Sequence, residues 1–288
     1  MTANIRILID DLIVGATLNA SPALEATLPP GNLRTIARSE VARSTSTADQ
    51  AVTGNFAALS ACSCCVLWRH NLSAAATWRL ELFSAVGQGG ATVHDSGAVP
   101  AMTAAPLEPL LWGYDPLGGA ALGEWQQPAR HSALYFDAVN ARSFRLTLAD
   151  PANPDGYLQA SRLLIGAYWE PSIGADYGAE LQFIDDSTQA RSAAGTLRTP
   201  VGRAPVRQLS VEFSALTLAD SAALARIVGR CGRRAEVWVS LYPGWAALDP
   251  AYADAEYLHG FVGKLVAPHA AVRRGFATHS DRLVVQEA

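Results

Sequence analysis

This sequence contains a single lysine, and it lacks both catalytic signatures and long apolar runs. Of its 22 basic residues only Lys264 is lysine, and with 26 acidic residues the formal net charge is −4. This balance excludes the strongly basic surface that attracts nucleic acids and anionic membranes, so neither is expected as a partner. No apolar stretch is long enough to span a bilayer. Asp10 and Asp11 interrupt the N-terminal apolar run, which argues against a signal peptide and predicts synthesis in the cytoplasm.

The residue patterns of common enzyme sites are also missing. No two histidines have metal-site spacing, and there is no nucleophile elbow, phosphate-binding loop or dinucleotide fingerprint. The acidic pairs Asp10-Asp11 and Asp185-Asp186 are adjacent, unlike the separated carboxylates of glycosidases, and predict solvated turns. The sequence therefore predicts a protein that is not an enzyme and that needs no cofactor.

Cysteine is scarce, and its spacing does not match a structural zinc site. Three cysteines lie in one segment and the fourth is distant: Cys62, Cys64, Cys65 and Cys231. Strand alternation places Cys62 and Cys64 on one face and Cys65 on the other, so one tetrahedral site would require the strand to break. We expect small, buried, reduced thiols. The alternative is a zinc or iron–sulfur site built from all four.

Short alternating runs separated by Gly, Pro, Asn and Asp turns indicate an all-β protein. In Thr77–Phe83, the residues Trp78, Leu80 and Leu82 share one face, as in a strand with one buried side. One helix is predicted near residues 217–231. It begins at the N-cap Thr217, carries its apolar stripe through Cys231, and ends at Gly232.

A loop near residues 168–176, marked by Pro171 and Gly174, divides the chain. At 288 residues the chain is long enough for two ordinary domains, and we place them at 1–168 and 169–288.

Three segments of the first domain carry a resemblance to a known family. They are the His70-Asn71-Leu72-Ser73 segment with Arg79, the turn Asp95-Ser96-Gly97, and Asp150 to Gly166, which reads D-x-x-N-x-x-G-Y-L-Q-x-x-R-L. The chain resembles, from about residue 55 onward, the minor tail and distal-tail (baseplate) proteins of long-tailed phages and prophages. The resemblance implies a galactose-binding-like (discoidin-type) jelly roll at 1–168 and a tail-tube or distal-tail-like β-sandwich with one helix at 169–288.

The resemblance also implies a function. The protein would be a structural virion protein of the phage tail tip, where it forms a homo-oligomeric ring, contacts other tail and baseplate proteins and contributes to host attachment. The alternative is a non-catalytic carbohydrate-binding module that recognises host-surface glycans. Its candidate binding residues are the loop aromatics Trp112, Tyr114 and Trp125, which could instead close one end of the jelly roll as core.

Overall fold

A computed structural model describes residues 4–101, 130–185, 187, 189–191, 193–198, 205–249, 252–266, 272–273 and 279–288. Strands dominate, and the predicted all-β class with sandwich-type sheets is confirmed. In chain order the elements are β1 (Arg6–Leu8), β2 (Thr17–Ser21), β3 (Ala42–Arg43), β4 (Gln50–Trp68), β5 (Thr77–Phe83), β6 (Thr92–Asp95), β7 (Val99–Pro100), β8 (His131–Ala149), β9 (Gln159–Ala160), β10 (Arg162–Gly166), β11 (Tyr168–Trp169), β12 (Glu180–Ile184), β13 (Ala190–Arg191), β14 (Leu197–Arg198), β15 (Val206–Leu216), α1 (Leu218–Cys231), β16 (Glu236–Ser240), α2 (Ala253–Leu258), β17 (Gly260–Leu265), β18 (Val272–Arg273) and β19 (His279–Glu287).

The chain forms two compact units. The first comprises Met1–Trp169 and Ser240–Phe261, and the second comprises Glu170–Val239 and Val262–Ala288. The predicted domains are contiguous, whereas the segment 240–261 clusters with the first unit. Aromatic packing explains this placement, because the Tyr257 ring stacks on His131 of β8 with centroids 5.0 Å apart.

An antiparallel sheet organises the first unit. Its strand order is β10-β4-β8-β5-β6, with β2 added to β4 and β7 to β5. Strands β4 and β8 have 19 residues each and pair along their length, with register shifts between Asn55 and Ser60 and between Cys62 and Cys64. Such bulges bend and twist long strands, which lets one pair line an extended core.

The alternation predicted for β5 is confirmed by burial. Trp78 is 3% exposed, while Leu80 and Leu82 are fully buried. Each of these side chains contributes roughly 1.5–3 kcal/mol through removal from water.

The cysteines depart from the alternation expected for a regular strand. Cys62 and Cys65 both join the core of the first unit, so the predicted pairing of Cys62 with Cys64 on one face is wrong. Cys62 pairs with Val139 and Cys64 with Tyr135, so β8 uses two more residues than β4 across this step. The irregularity changes which side chains share a face.

The second unit contains the predicted helix. Its strand order is β16-β17-β19-β15-β12, with β18 on β19 and a separate β13–β14 pair. Helix α1 begins as expected, because the Asp220 amide donates to Oγ1 of the N-cap Thr217 at 3.1 Å. It ends at Gly232, whose φ of +52° suits glycine.

The short helix α2 also forms, in the segment that clusters with the first unit. Among the described residues, no helix is long and apolar enough to cross a membrane.

Candidate functional site

Two of the sequence motifs, His70–Ser73 and the segment that begins at Asp150, are joined by hydrogen bonds. Both carboxylate oxygens of buried Asp150 accept hydrogen bonds from Ser73, one from its amide at 2.7 Å and one from its hydroxyl at 2.8 Å. Asn153 donates through Nδ2 to Asp150 at 2.9 Å and to the Asn71 carbonyl at 3.0 Å. The turn after β4 is thereby joined to the turn after β8, across about 80 residues of sequence.

The Asn71 side chain completes this junction. Its Nδ2 donates to Asp155 at 2.8 Å and to the Tyr157 carbonyl at 2.9 Å, and its Oδ1 accepts the Gln159 amide at 2.7 Å. Gly156 between them has a φ of +77°, a conformation that side chains with a Cβ rarely adopt. These amide and carboxylate groups are occupied by one another, so the motif holds two turns together rather than presenting groups to a ligand.

The third motif, the turn Asp95-Ser96-Gly97, is also held by hydrogen bonds within the protein. The Arg79 guanidinium donates to both carboxylate oxygens of Asp95, at 2.8 and 2.6 Å, and the Gly97 amide donates to Asp95 at 2.9 Å. These hydrogen bonds, with that from Arg79 the largest cause, lower the pKa of Asp95 to about 2. Ser96 accepts the Leu80 amide at 2.9 Å, which fixes the turn against β5.

His70 and Ser132 form a buried pair that superficially resembles a base and a nucleophile. His70 Nε2 lies 2.8 Å from Ser132 Oγ, which itself donates to the Ala101 carbonyl, so Nε2 carries the proton. The Nδ1 atom accepts the Leu72 amide at 3.2 Å instead of facing a carboxylate. Both side chains are buried, so the serine is inaccessible and the pair is structural.

Because His70 is buried and neutral, the folded state is expected to lose stability as the pH falls. Burial, the largest cause, and the nearby Arg130 charge lower the pKa of His70 to about 3 from 6.5. Between these pH values the unfolded chain binds more protons, so the free energy of unfolding falls as pH decreases, by up to about 1.4 kcal/mol per pH unit. His70→Gln removes this titration, and urea denaturation across that window is expected to show a shallower slope. An equally steep slope in the variant would contradict the assignment.

The Asp11 side chain is buried, so the prediction of a solvated turn at Asp10-Asp11 is wrong for this residue. Its carboxylate lies 3.2 Å from Arg162 Nη2, with both side chains at most 7% exposed, and it accepts the Ile13 amide at 3.0 Å. Burial raises the pKa of Asp11, and the Arg162 charge opposes that increase. The arginine of the D-x-x-N-x-x-G-Y-L-Q-x-x-R-L signature therefore binds the N-terminal segment.

The cysteines provide no reactive or metal-binding centre in the described part of the chain. None of the four buried cysteines forms a disulfide, and no cluster of three or more His, Cys, Asp or Glu there could hold a metal. Burial raises the pKa of Cys62 to about 12 and that of Cys64 and Cys65 well above the usual range, so they remain protonated.

A group of aromatic side chains in segment 240–261 is the best candidate for a binding site. We define this aromatic cluster as Tyr242, Trp245, Tyr252 and His259. Tyr242 meets Trp245 edge-on at 5.0 Å and His259 at 5.1 Å, and Trp245 meets Tyr252 at 5.0 Å. None of the four is fully buried, and Tyr252 is 41% exposed. Edge-to-face contacts hold the rings in fixed orientations while part of each remains open to solvent.

Hydrogen bonds fix the backbone around the aromatic cluster. The Glu256 carboxylate accepts the Gly244 amide at 2.7 Å, and His259 Nδ1 contacts the Ala255 carbonyl at 2.8 Å. Gly244 has a φ of +75°, which allows the sharp turn between Tyr242 and Trp245. The rings are therefore held on a defined frame, as binding without large ordering costs requires.

Sequence reasoning did not select the aromatic cluster, although the signal was present. Tyr242-Pro243-Gly244-Trp245 has aromatics beside Gly and Pro, as does the sequence around Trp112 and Tyr114. The predicted candidates Trp112, Tyr114 and Trp125 lie outside the described residues, so their role stays a prediction.

No family model and no curated protein matches this chain. Solved structures are similar to slightly more than half of it. A family 32 carbohydrate-binding module from C. perfringens NanJ, in complex with galactose, has a TM-score of 0.38 and 11% identity over 57% of this chain and 99% of that one. A fucose-binding module from Streptococcus pneumoniae has a TM-score of 0.36 and 9% identity, covering 55% of this chain and 95% of the module.

The similar structures also include enzymes. A GH29 fucosidase from Ruminococcus gnavus, in complex with fucose, has a TM-score of 0.38 and 9% identity over 56% of this chain, which spans only 27% of the fucosidase. Likenesses with TM-scores of 0.36 to 0.38 do not indicate what this chain binds.

Proposed function

We propose that the protein is a non-catalytic binding protein that recognises cell-surface glycans through the aromatic cluster. The observation that carries this proposal is the set of partly exposed rings held edge to face on a Gly- and Pro-containing loop. A sugar ring has an apolar face of C–H groups and a polar rim of hydroxyls, so it can pack on Trp or Tyr while its rim contacts water and polar groups. Loops on a rigid sheet scaffold are a common location for such recognition.

The chemistry of the polar clusters supports binding over catalysis. The carboxylates and amides of the three motifs are engaged with one another, and the buried His70–Ser132 pair is inaccessible to a substrate. The arrangement offers a surface for recognition rather than a converging nucleophile, base and oxyanion site.

Replacing Trp245 with alanine is expected to weaken glycan binding about tenfold or more, because a central aromatic contact is often worth 1 to 2 kcal/mol or more. A glycan array would identify the ligand, and calorimetry with the full chain would then measure its affinity. Tyr177→Ala is the matched control, since this fully exposed tyrosine lies in the second unit and its removal should leave affinity unchanged. Equal affinities for both variants would reject the aromatic cluster as the site, and Trp112→Ala and Trp125→Ala would test the sequence-based candidates in the same assay.

The second candidate function is a structural component of a phage tail tip, present as a homo-oligomeric ring beside other tail and baseplate proteins. The observation that favours it is that the motifs of the resemblance contact one another: His70–Ser73 with Asp150–Asn153, and Arg79 with Asp95. Motif residues that contact one another in the structure support a shared fold more strongly than matching residues that do not touch. Glycan binding and a place in the virion are compatible, because a tail-tip protein with a sugar site would serve host attachment.

Immunogold electron microscopy of particles from the source phage tests the second candidate. We expect gold at the tail tip if the protein is a baseplate component. Particles without label, together with antigen found only in the free soluble fraction, would exclude the virion role. That result would leave the glycan-binding proposal intact.

A further inference from the structure

The first unit contains a small apolar recess. It has a volume of about 20 Å³, and its walls are apolar side chains of β3, β4, β8 and β9 and of the segment 24–33. Of the residues that line it, only Leu24 and Gln159 are partly exposed, so the recess opens to solvent between these two. This volume holds one group of the size of a water molecule or a methyl.

Two glutamines are the polar residues in the wall of the recess, and each has one amide atom without a partner. Gln50 is 3% exposed and donates through Nε2 to the Pro22 carbonyl at 2.7 Å, while no described residue donates to its Oε1. Gln159 Oε1 accepts Nε and Nη2 of Arg43 at 2.9 and 2.6 Å, while no described residue accepts from its Nε2. These partners fix which amide atom is oxygen and which is nitrogen. The wall therefore has one unused acceptor and one unused donor, and a partner for each would stabilise the site.

Gln159 differs from the other motif side chains described above, because half of its amide is not used within the protein. Its backbone is fixed, since its N–H donates to Asn71 Oδ1 at 2.7 Å and its carbonyl accepts the Asn71 amide at 3.1 Å. Its partner Arg43 lies over the Tyr157 ring, with the guanidinium carbon 4.2 Å from the centroid. Arg43 Nη1 and the Tyr157 hydroxyl make no hydrogen bond to any described residue, and both side chains are half-buried. Polar groups that can bind hydroxyls thus lie beside Gln159.

We infer that this recess is a second binding site, which takes the acetamido group of an N-acetylated sugar. An acetamido group has one methyl, one acceptor and one donor, as the recess requires. The methyl fills the apolar volume, the carbonyl accepts Gln159 Nε2, and the N–H donates to Gln50 Oε1. Sugar hydroxyls then contact Arg43 and Tyr157 outside the recess. The site shares no residue with the aromatic cluster, so the inference goes beyond the proposed function.

NMR titration of the full chain tests the inference. Methyl β-N-acetylglucosaminide and methyl β-glucoside differ only in the acetamido group. We expect the N-acetylated glycoside to bind about tenfold more tightly, because it buries a methyl and makes additional hydrogen bonds. The side-chain amide signal of Gln159 and the methyl signals of Leu24 should shift during the titration.

Two further ligands define the class. The N-propionyl analogue of the glycoside should bind more weakly, because its extra methylene exceeds the volume of the recess. Nε-acetyl-lysine carries the same acetamido group without sugar hydroxyls and should also bind more weakly. Tighter binding of Nε-acetyl-lysine than of the glycoside would overturn the assignment to a sugar.

Variants locate the site. Gln159→Glu retains an acceptor for Arg43 but removes the amide donor, and Ala160→Val adds two methyl groups at a position in the recess wall. Each is expected to remove most of the tenfold preference, and urea denaturation checks that each chain is folded. Gln88→Glu, at a half-buried glutamine elsewhere in the first unit, is the control and should retain the preference. A preference that survives in both folded recess variants, or equal binding of the two glycosides by the unaltered chain, overturns the inference.

Trp245→Ala separates this site from the proposed function. The variant should lose binding at the aromatic cluster but keep the preference for the N-acetylated glycoside. Loss of the preference in Trp245→Ala would assign acetamido recognition to the aromatic cluster and overturn the inference. A failed recess test combined with Trp245-dependent glycan binding would leave the proposed function intact.

Discussion

Arg162→Met is expected to lower the free energy of unfolding by about 3 to 5 kcal/mol, because it leaves the buried Asp11 carboxylate without its cation. The two side chains are at most 7% exposed and lie 3.2 Å apart, so water cannot replace the lost partner. Methionine retains the apolar stem of the arginine, which separates loss of charge from loss of packing. Urea denaturation monitored by tryptophan fluorescence measures the effect.

The pH dependence of this deficit identifies its origin. In Arg162→Met the positive charge that opposes the effect of burial is gone, so the pKa of Asp11 rises further. The folded state then binds the proton more tightly than the unfolded chain does. Stability from such a group is present below the unfolded pKa and is lost as pH rises through the folded pKa. The deficit should therefore be smaller at about pH 4 than at about pH 8. Comparing variant and unaltered chain at each pH cancels the contribution of His70.

Two further variants make the test specific. Asp11→Asn combined with Arg162→Met should recover most of the lost stability, because it removes the uncompensated charge. Arg79→Met breaks the solvent-exposed pair with Asp95 and should have a much smaller effect. A deficit in Arg162→Met that does not change with pH would show that packing, rather than the charge of Asp11, is responsible.

Local patterns predicted local structure well. The alternation in Thr77–Phe83 was sufficient for β5, because one buried face imposes a period of two. The Thr217 cap and the Gly232 stop were sufficient for α1, because helix ends require specific partners within one turn. Both signals act within a few residues, so a single sequence carries them completely.

Features that depend on distant residues could not be predicted in the same way. Cys62 and Cys65 share a core because of a register shift against β8, which no pattern within β4 indicates. Asp11 looks like a surface residue until Arg162, 151 positions away, is placed beside it. The segment 240–261, which carries the aromatic cluster, packs on β8 through the contact of Tyr257 with His131, again a long-range pairing. The aromatics themselves were visible in the sequence, but their mutual arrangement was not.

Asp150→Ala is expected to cost about 3 to 4 kcal/mol, because it leaves several donors without an acceptor at a site where water has little access. Asp150 is 1% exposed and accepts from the amide and hydroxyl of Ser73 and from Asn153 Nδ2. Asp155→Ala is the matched control: this exposed aspartate accepts one bond from Asn71, and its loss should cost at most about 1 kcal/mol.

Hydrogen exchange provides a local measurement of the same junction. The Ser73 amide, which donates to Asp150 at 2.7 Å, should lose protection in Asp150→Ala while amides in the centre of β4 change only with global stability. Retained protection of Ser73, with a stability loss under about 1 kcal/mol, would contradict the structural role. If the expected losses are found, the role of the D-x-x-N motif is to hold two turns together, and it does not bind a ligand. Motifs of this kind then predict a fold. The binding specificity of each protein that shares them depends on loops outside the motifs, such as Tyr242 to His259 in this chain.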